Sequence, residues 1–377
     1  MQEFINEAFT DFSNDLHANE MKRAIEEVRK QLGKSYVNYI GGQAITKDET
    51  FASINPSNKE ELIGQFPKAT TDDVTLAIEA ASKHFETWSK TPASQRAQFL
   101  FDAATLMRKR KHWFSAWMMF ETGKTWVEAD ADTAEAIDFM EFYAREMLRL
   151  SKGQELTKIP GEDNELSYRP LGVGAIIPPW NFPLAICVGM TTAALVCGNT
   201  VVLKPSSDSP TVAYHFVELM REVGLPEGVL NFVTGSGSQV GDHLVSHPKI
   251  RFISFTGSRE VGLRVNELAA KTHPEQKWIK RLVAEMGGKD AIVVDEGTDV
   301  DEVSTGIVAA AFGFQGQKCS ACSRAIIHES MYDQVVSAVI EKTKKITIGD
   351  PTDRQTQFGP VISSRAFEKI KEYIEIG

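Results

Sequence analysis

Two segments of the 377-residue chain carry side chains suited to covalent catalysis. Glu285 stands at the end of a strand-like run (Ile279, Leu282, Val283), just ahead of Met286, Gly287 and Gly288. Cys319 follows Gly316, Gln317 and Lys318, a polar turn that closes a small-residue helical run over 309–314. A thiol can form a covalent intermediate, and a carboxylate can take a proton from water. At strand and helix ends, where backbone can approach a ligand, the two together suggest covalent catalysis with a general base. Each alone has an ordinary structural reading: a Glu before two glycines is a turn residue, and a single Cys fills a core. The groups upstream tip the balance toward chemistry.

Asn181 lies in Pro178-Pro179-Trp180-Asn181-Phe182-Pro183, after a strand expected over 172–177. Held among prolines and aromatics, its amide N–H suits an oxyanion hole; the alternative is a turn residue opening a helix. Lys204 ends a strand over 200–204, ahead of Pro205 and Ser206, and brings a cation to a sheet's carboxyl edge. There it binds ribose hydroxyls or phosphate, unless it is simply a solvated loop lysine. Gly257-Ser258 opens a helix over 259–270 and can present free N–H groups to an anion such as pyrophosphate. Gly235-Ser236-Gly237 approaches the dinucleotide-binding glycine spacing, but Gly241 comes one residue late, so that fingerprint is absent. Cys319 and Cys322 have redox or zinc spacing; no second Cys pair or spaced His pair completes a metal site, and no metal is expected. Thr122-Gly123-Lys124-Thr125 ends like a phosphate-binding loop, yet the upstream glycine is missing, so it reads as a helix stop.

The elements that must position these groups alternate. Strands are expected over 172–177, 200–204, 229–233, 251–255 and 278–284, with helices over 184–197, 211–223, 238–245 and 259–270 between them. Five short apolar strands separated by helices form a doubly wound parallel sheet, which binds ligands beyond its strands' carboxyl ends. A second α/β series follows: strand 290–294, helix 300–314, strand 323–328, helices 331–346 and 364–374. Upstream, helices are expected over 19–32, from a Thr71-Asp72-Asp73 cap onward, and over 94–111, 111–121 and 126–150. Gly41-Gly42 is read as joining a hairpin whose second strand covers 51–55. Residues 151–170, polar around Pro160-Gly161, read as a projecting hairpin that joins subunits. The domain expectation is therefore a helical extension (1–36), a cofactor domain (37–150 and 171–287), the hairpin (151–170) and a catalytic domain (288–377).

Composition narrows the classes. With 42% hydrophobic and 24% charged residues, the chain is that of an ordinary globular protein, long enough for two cores. A net charge of −10 argues against nucleic acid or an anionic membrane as partner. No apolar run has signal-peptide or membrane-spanning character, and four cysteines without a disulfide framework indicate a reducing cytoplasm.

The ordered motifs Pro179–Pro183, Leu203–Ser206, Phe255–Gly262, Glu285–Lys289 and Gly316–Cys319 resemble the aldehyde dehydrogenase superfamily from about residue 40 onward. In detail the run Gly316–Arg324, the segment Phe9-Thr10-Asp11-Phe12 and the stretch Glu128–Phe139 are similar to the branch that oxidises L-glutamate γ-semialdehyde, derived from 1-pyrroline-5-carboxylate, in proline and arginine degradation. The resemblance implies a Rossmann-like NAD domain, a second α/β catalytic domain and homo-oligomers. It implies Cys319 as nucleophile, Asn181 with the Cys319 N–H as oxyanion hole, and Glu285 as the base for thioester hydrolysis. Lys204 would bind the adenosine ribose, with Ile177, Pro178, Pro179, Trp180, Ser206, Ser207, Gly237, Gly257, Ser258, Val261, Met286 and Gly287 around the cofactor. Phe182, Lys318 and Ser320 would meet the substrate, and Lys318 would also lower the thiol pKa.

Two departures stand out. Many relatives carry a ribose-binding Glu where this chain has Ser207, so NADP is expected to be tolerated beside NAD. The later Glu-x-Phe-Gly-Pro segment has no counterpart; Phe358-Gly359-Pro360 is a different motif. With two clear strands in its second domain, the chain is expected to be C-terminally truncated, and the rival readings are an inactive cofactor-binding fragment or another semialdehyde dehydrogenase.

Overall fold

The computed structural model describes residues 3–376. Its first third runs through α1 (Asp15–Arg29) and the short strands β1 (Lys34–Ser35), β2 (Asn38–Ile40), β3 (Gln43–Ile45), β4 (Thr50–Ile54) and β5 (Leu62–Pro67). Four helices follow: α2 (Thr71–Trp88), α3 (Ala93–Lys109), α4 (Lys111–Thr122) and α5 (Trp126–Leu150). The alternating region contains β6 (Val173–Ile177), α6 (Ala185–Val196), β7 (Thr200–Leu203), α7 (Pro210–Glu222), β8 (Leu230–Phe232), α8 (Asp242–Ser246), β9 (Ile250–Thr256), α9 (Arg259–Ala270) and β10 (Arg281–Glu285). Last come β11 (Asp290–Val294), α10 (Val300–Phe312), β12 (Cys322–Ile327), α11 (Tyr332–Thr343) and α12 (Ser364–Ile376).

The central sheet has the order β10-β9-β6-β7-β8-β2-β3, the first five strands parallel and β2 antiparallel to both of its neighbours. Because the chain winds outward from β6 in both directions, the crevice beside β6 is a topological switch point. Its carboxyl rim carries Ile177, Leu203, Thr256 and Glu285. All residues of β7 and all but the last of β6 are buried, as strands covered on both faces require. Helices α3 to α7 pack one large core on the sheet, and α2, α8 and α9 supply a second. β11 and β12 pair in parallel beside α10 and α11 over a small core of Val294, Ile307, Met331 and Val335.

Several local expectations change. The Gly41-Gly42 turn joins β2 to β3, not to the 51–55 strand, which pairs instead with β5. Two-residue turns pair the residues that flank them directly. Thr70, not Thr71, caps α2, in a reciprocal capping box with Asp73. The 238–245 helix is split into a π turn (Gly237–Gly241) and α8. Strand β10 starts at Arg281, because Arg251 Nη1 takes the Ile279 carbonyl outside the ladder. Residues 151–170 contain no strand; they double back with Gln154 Nε2 donating to Tyr168 Oη at 2.7 Å, their side chains largely exposed.

Candidate active site

The Cys319 loop follows α10, whose helical geometry ends at Phe312. A 3-10 turn, Gly313–Gly316, comes next, and within it Phe314 and Gln315 adopt left-handed φ values of 48° and 57°. Such backbone is costly for residues with a Cβ and persists where surroundings over-determine it. Several contacts do so. Phe314 is buried. Gln315, with its amide oriented to match its neighbours, accepts from Gly359 N (2.6 Å) and donates to Pro360 O (3.2 Å). Gln317 Oε1 accepts from Ile362 N at 3.0 Å. Cys319 itself is exposed and unpaired.

Asn181 reaches this loop directly: its Nδ2 donates to the Gln317 carbonyl at 2.9 Å. The two residues are 136 apart in sequence, so the sheet's switch-point loop and the Cys319 loop are joined by this bond. One amide N–H of Asn181 is thereby used, and the second is left to donate to a bound oxygen. Glu285 arrives from the other side, at the end of β10 and level with Thr256 of β9. Its carbonyl accepts from Gly257 N at 3.1 Å. Three residues on, Gly288 lies so close to the Cys319 carbonyl that a Cβ there would stand 2.5 Å from that oxygen. Only glycine permits this approach, which brings the Glu285 strand end against the thiol's loop. The loops that carry Asn181 and Cys319 and the strand end that carries Glu285 therefore adjoin one another.

Lys318 has a partner that sequence spacing did not suggest. Its Nζ lies 3.2 Å and 3.3 Å from the two carboxylate oxygens of Glu128, on the first turn of α5. Phe182 and Trp180 are half-buried, and Trp180 lies 6.4 Å from Phe314, ring centre to ring centre. Ser320 is exposed beside Cys319. Glu128 was visible only as part of a family-like stretch; its place beside Lys318 depends on contact across 190 residues.

The residues assigned to a cofactor ring the carboxyl rim. Lys204 is buried, donates its backbone N–H to the Ile176 carbonyl, and offers Nζ to Pro205 O at 3.2 Å. Burial lowers its pKa to about 8. A buried cation with one protein acceptor is suited to take ligand oxygens. Gly237 faces open space, and Ser207 Oγ donates to Gly235 O at 3.3 Å on the same rim. Ser206 Oγ accepts from Asp208 N. Ser258 caps α9 itself, its Oγ accepting from Val261 N at 3.3 Å, so that amide is not left for an anion. Ile177 is half-buried, Pro178 and Pro179 are buried, Met286 packs over Gly262, and Gly287 is exposed. Among the described residues, no group of three or more His, Cys, Asp or Glu is arranged to hold a metal ion, and no helix is long and apolar enough to cross a membrane.

Comparison with known proteins places the chain. A 1-pyrroline-5-carboxylate dehydrogenase of Geobacillus sp. (strain WCH70) is 55% identical over 377 residues, covering 100% of this chain and 73% of that protein. The 1-pyrroline-5-carboxylate dehydrogenase from Thermus with bound NAD matches with a TM-score of 0.97 at 45% identity, over 100% of this chain and 73% of that one. The Δ-pyrroline-5-carboxylate dehydrogenase from Mycobacterium tuberculosis bound with NAD matches with a TM-score of 0.93 at 31% identity, over 100% and 70%. The model of the aldehyde dehydrogenase family matches residues 44–377, the stretch that carries the thiol, amide, carboxylate and rim, and the chain belongs to that family.

Proposed function

We propose that this chain oxidises L-glutamate γ-semialdehyde to L-glutamate with NAD as acceptor. The relatives bear the name of that activity, and two solved ones hold NAD. The observation that carries the reading is the Asn181–Gln317 bond, which sets an amide donor against the loop that presents an exposed thiol.

The Cys319 thiolate attacks the aldehyde carbon, forming a C–S bond and leaving charge on the oxygen. Asn181 and the Cys319 backbone N–H donate to that oxygen, a contact typically worth two to three orders of magnitude in rate, roughly. NAD, when bound, supplies the hydride acceptor that turns the adduct into a thioester on Cys319. Glu285 takes a proton from water, whose oxygen adds to the thioester carbon. Collapse then releases L-glutamate and returns the thiolate. Lys204, Ser206 and Ser207 would hold the ribose of the cofactor's adenosine half. Gly237, Gly257, Ser258 and Val261 would line the cofactor's groove, with Ile177, Pro178, Pro179, Trp180, Met286 and Gly287 around it.

Lys318 and Glu128 present opposite charges side by side next to Cys319. That pair complements a zwitterionic amino-acid head, the cation meeting the carboxylate and the carboxylate the ammonium, while Ser320 adds a hydroxyl and Phe182 packs the aliphatic chain. Ser207 places no carboxylate against a 2′-phosphate, so NADP is tolerated. The projecting 151–170 segment, with Leu156, Ile159, Leu166 and Tyr168 exposed, joins subunits in a homo-oligomer. A reducing cytoplasm suits a working thiol among four unpaired cysteines. The test is NADH formation with L-glutamate γ-semialdehyde beside a Cys319→Ala control. Turnover abolished in the control is expected; turnover that survives it removes Cys319 from the mechanism.

A further inference from the structure

Beneath the site lies a cation that the reaction above does not use. Lys124 follows Gly123, whose φ of 73° stops α4, and its side chain is completely buried. A Cβ on Gly123 would stand 2.6 Å from Pro360, so this stop packs under the segment that also holds Gln315. Lys124 Nζ lies 3.3 Å from Asp132 Oδ2 but outside hydrogen-bonding geometry, and none of its N–H groups finds an acceptor. It instead faces two aromatic rings, Phe182 at 4.3 Å and Phe314 at 4.0 Å from their centres. Asp132 Oδ1 accepts from Ala185 N at 2.6 Å and so caps α6, which has no side-chain cap of its own.

We propose that Lys124 is a positioning residue: its ammonium clamps the ring of Phe182 to the ring of Phe314 and thereby fixes the Asn181 loop against the Cys319 loop. Phe182 adjoins Asn181, and Phe314 stands three residues before Gln317, the residue Asn181 bonds. The clamp sits where the backbone is left-handed and needs holding. An ion pair alone is a weak reason to bury a lysine, since apolar side chains of similar volume are often no less stable. Two ring faces meeting one desolvated cation require the charge, because attraction to the ring quadrupole exists only for the cation. Burial pushes the Lys124 ammonium toward neutrality, and the carboxylates of Asp132 and Glu128 oppose that push.

Only the kinetic arm of the test rests on the function proposed above. Lys124→Met keeps length and volume but strands Asp132, so it is made together with Asp132→Asn, which keeps an oxygen for Ala185 N–H. Hydrogen exchange of the peptide over 314–321 is followed in the double variant and in Phe314→Leu, which leaves the ion pair in place. The expected result is exchange about tenfold faster in that peptide, with the Gly235–Val245 region of the cofactor rim unchanged. In turnover, kcat falls about tenfold or more while KM for NAD moves less than about twofold, a split that general loosening of the fold does not produce. Unchanged exchange over 314–321 in either folded variant overturns the clamp. Faster exchange in a protein that never turns over sustains the clamp and counts against the catalytic reading instead.

Discussion

Replacing Lys318 by methionine tests the proposal that its charge binds the substrate's carboxylate. In the structure the Lys318 ammonium is shared with Glu128 at 3.2 Å, and the side chains keep 26% and 19% of their exposure. Opposite charges about 4 Å apart attract by roughly 4 kcal/mol at an effective dielectric near 20. Competition from Glu128 and partial solvent screening reduce this to roughly 1–3 kcal/mol for a carboxylate brought to Lys318. That corresponds to a loss of about tenfold to a hundredfold in kcat/KM for L-glutamate γ-semialdehyde. The assay compares it with a simple aliphatic aldehyde of similar length that lacks the amino-acid head. If Lys318 acts on the head group, the simple aldehyde changes less than about threefold. An equal fall with both aldehydes refutes the reasoning and assigns Lys318 to the thiol. Glu128→Gln sharpens the contrast: it frees Lys318 but removes the partner proposed for the ammonium, so discrimination between the two aldehydes narrows.

Three further outcomes are expected. Asn181→Ala lowers kcat roughly a hundred- to a thousandfold in steady-state assays, with KM for NAD little changed; a loss under about fivefold places the oxyanion elsewhere. Ser207→Glu raises the ratio of kcat/KM for NAD over NADP, which for the unaltered protein lies below about a thousand; a higher starting ratio contradicts the role given to Ser207. Glu121, completely buried, accepts from Ser53 Oγ and from the Thr211 and Val212 N–H groups at the start of α7. Burial outweighs those bonds and raises its pKa from 4.5 to about 7. Folding therefore favours its protonated form: the contribution is complete below pH about 4.5 and is lost as pH rises through about 7, amounting to roughly 3 kcal/mol. Urea unfolding at pH 5 and pH 8 measures this as a difference between the unaltered protein and Glu121→Gln, whose curve lacks the step; identical pH slopes sink it.

The parts of the fold legible in the sequence were those with local signals. The expected limits of α5, α9 and β11 coincide with the observed ones: Gly123 breaks the chain ahead of α5, Ser258 caps α9, and Gly287-Gly288 separates β10 from β11. Boundaries slipped where a tertiary contact competed, as at Ile279, whose carbonyl is taken by Arg251. The 151–170 segment reads as a hairpin yet contains no strand, since pairing there has no covered face to fix a register. The left-handed pair Phe314 and Gln315 carries no turn-residue signature at all; its contacts lie with burial of Phe314 and with Gly359 and Pro360, far along the chain. At the site, the groups proposed to react stand out because thiol, amide and carboxylate sit at punctuated element ends. Glu128 and Lys124 did not, because each lies within or beside an ordinary amphipathic helix and gains its meaning from partners far along the chain. Lys124 in particular was read correctly as part of a helix stop, which said nothing about where its ammonium goes.

The central claim is that an acyl group passes through Cys319 and is released by water that Glu285 activates. Its most direct measurement is mass spectrometry of Glu285→Gln after mixing with NAD and L-glutamate γ-semialdehyde, with the Cys319 peptide examined for a glutamyl adduct. The account predicts about one adduct per chain, confined to Cys319 and formed together with a stoichiometric burst of NADH. Continued NADH formation with Cys319 unmodified, or an adduct on any other residue, contradicts it.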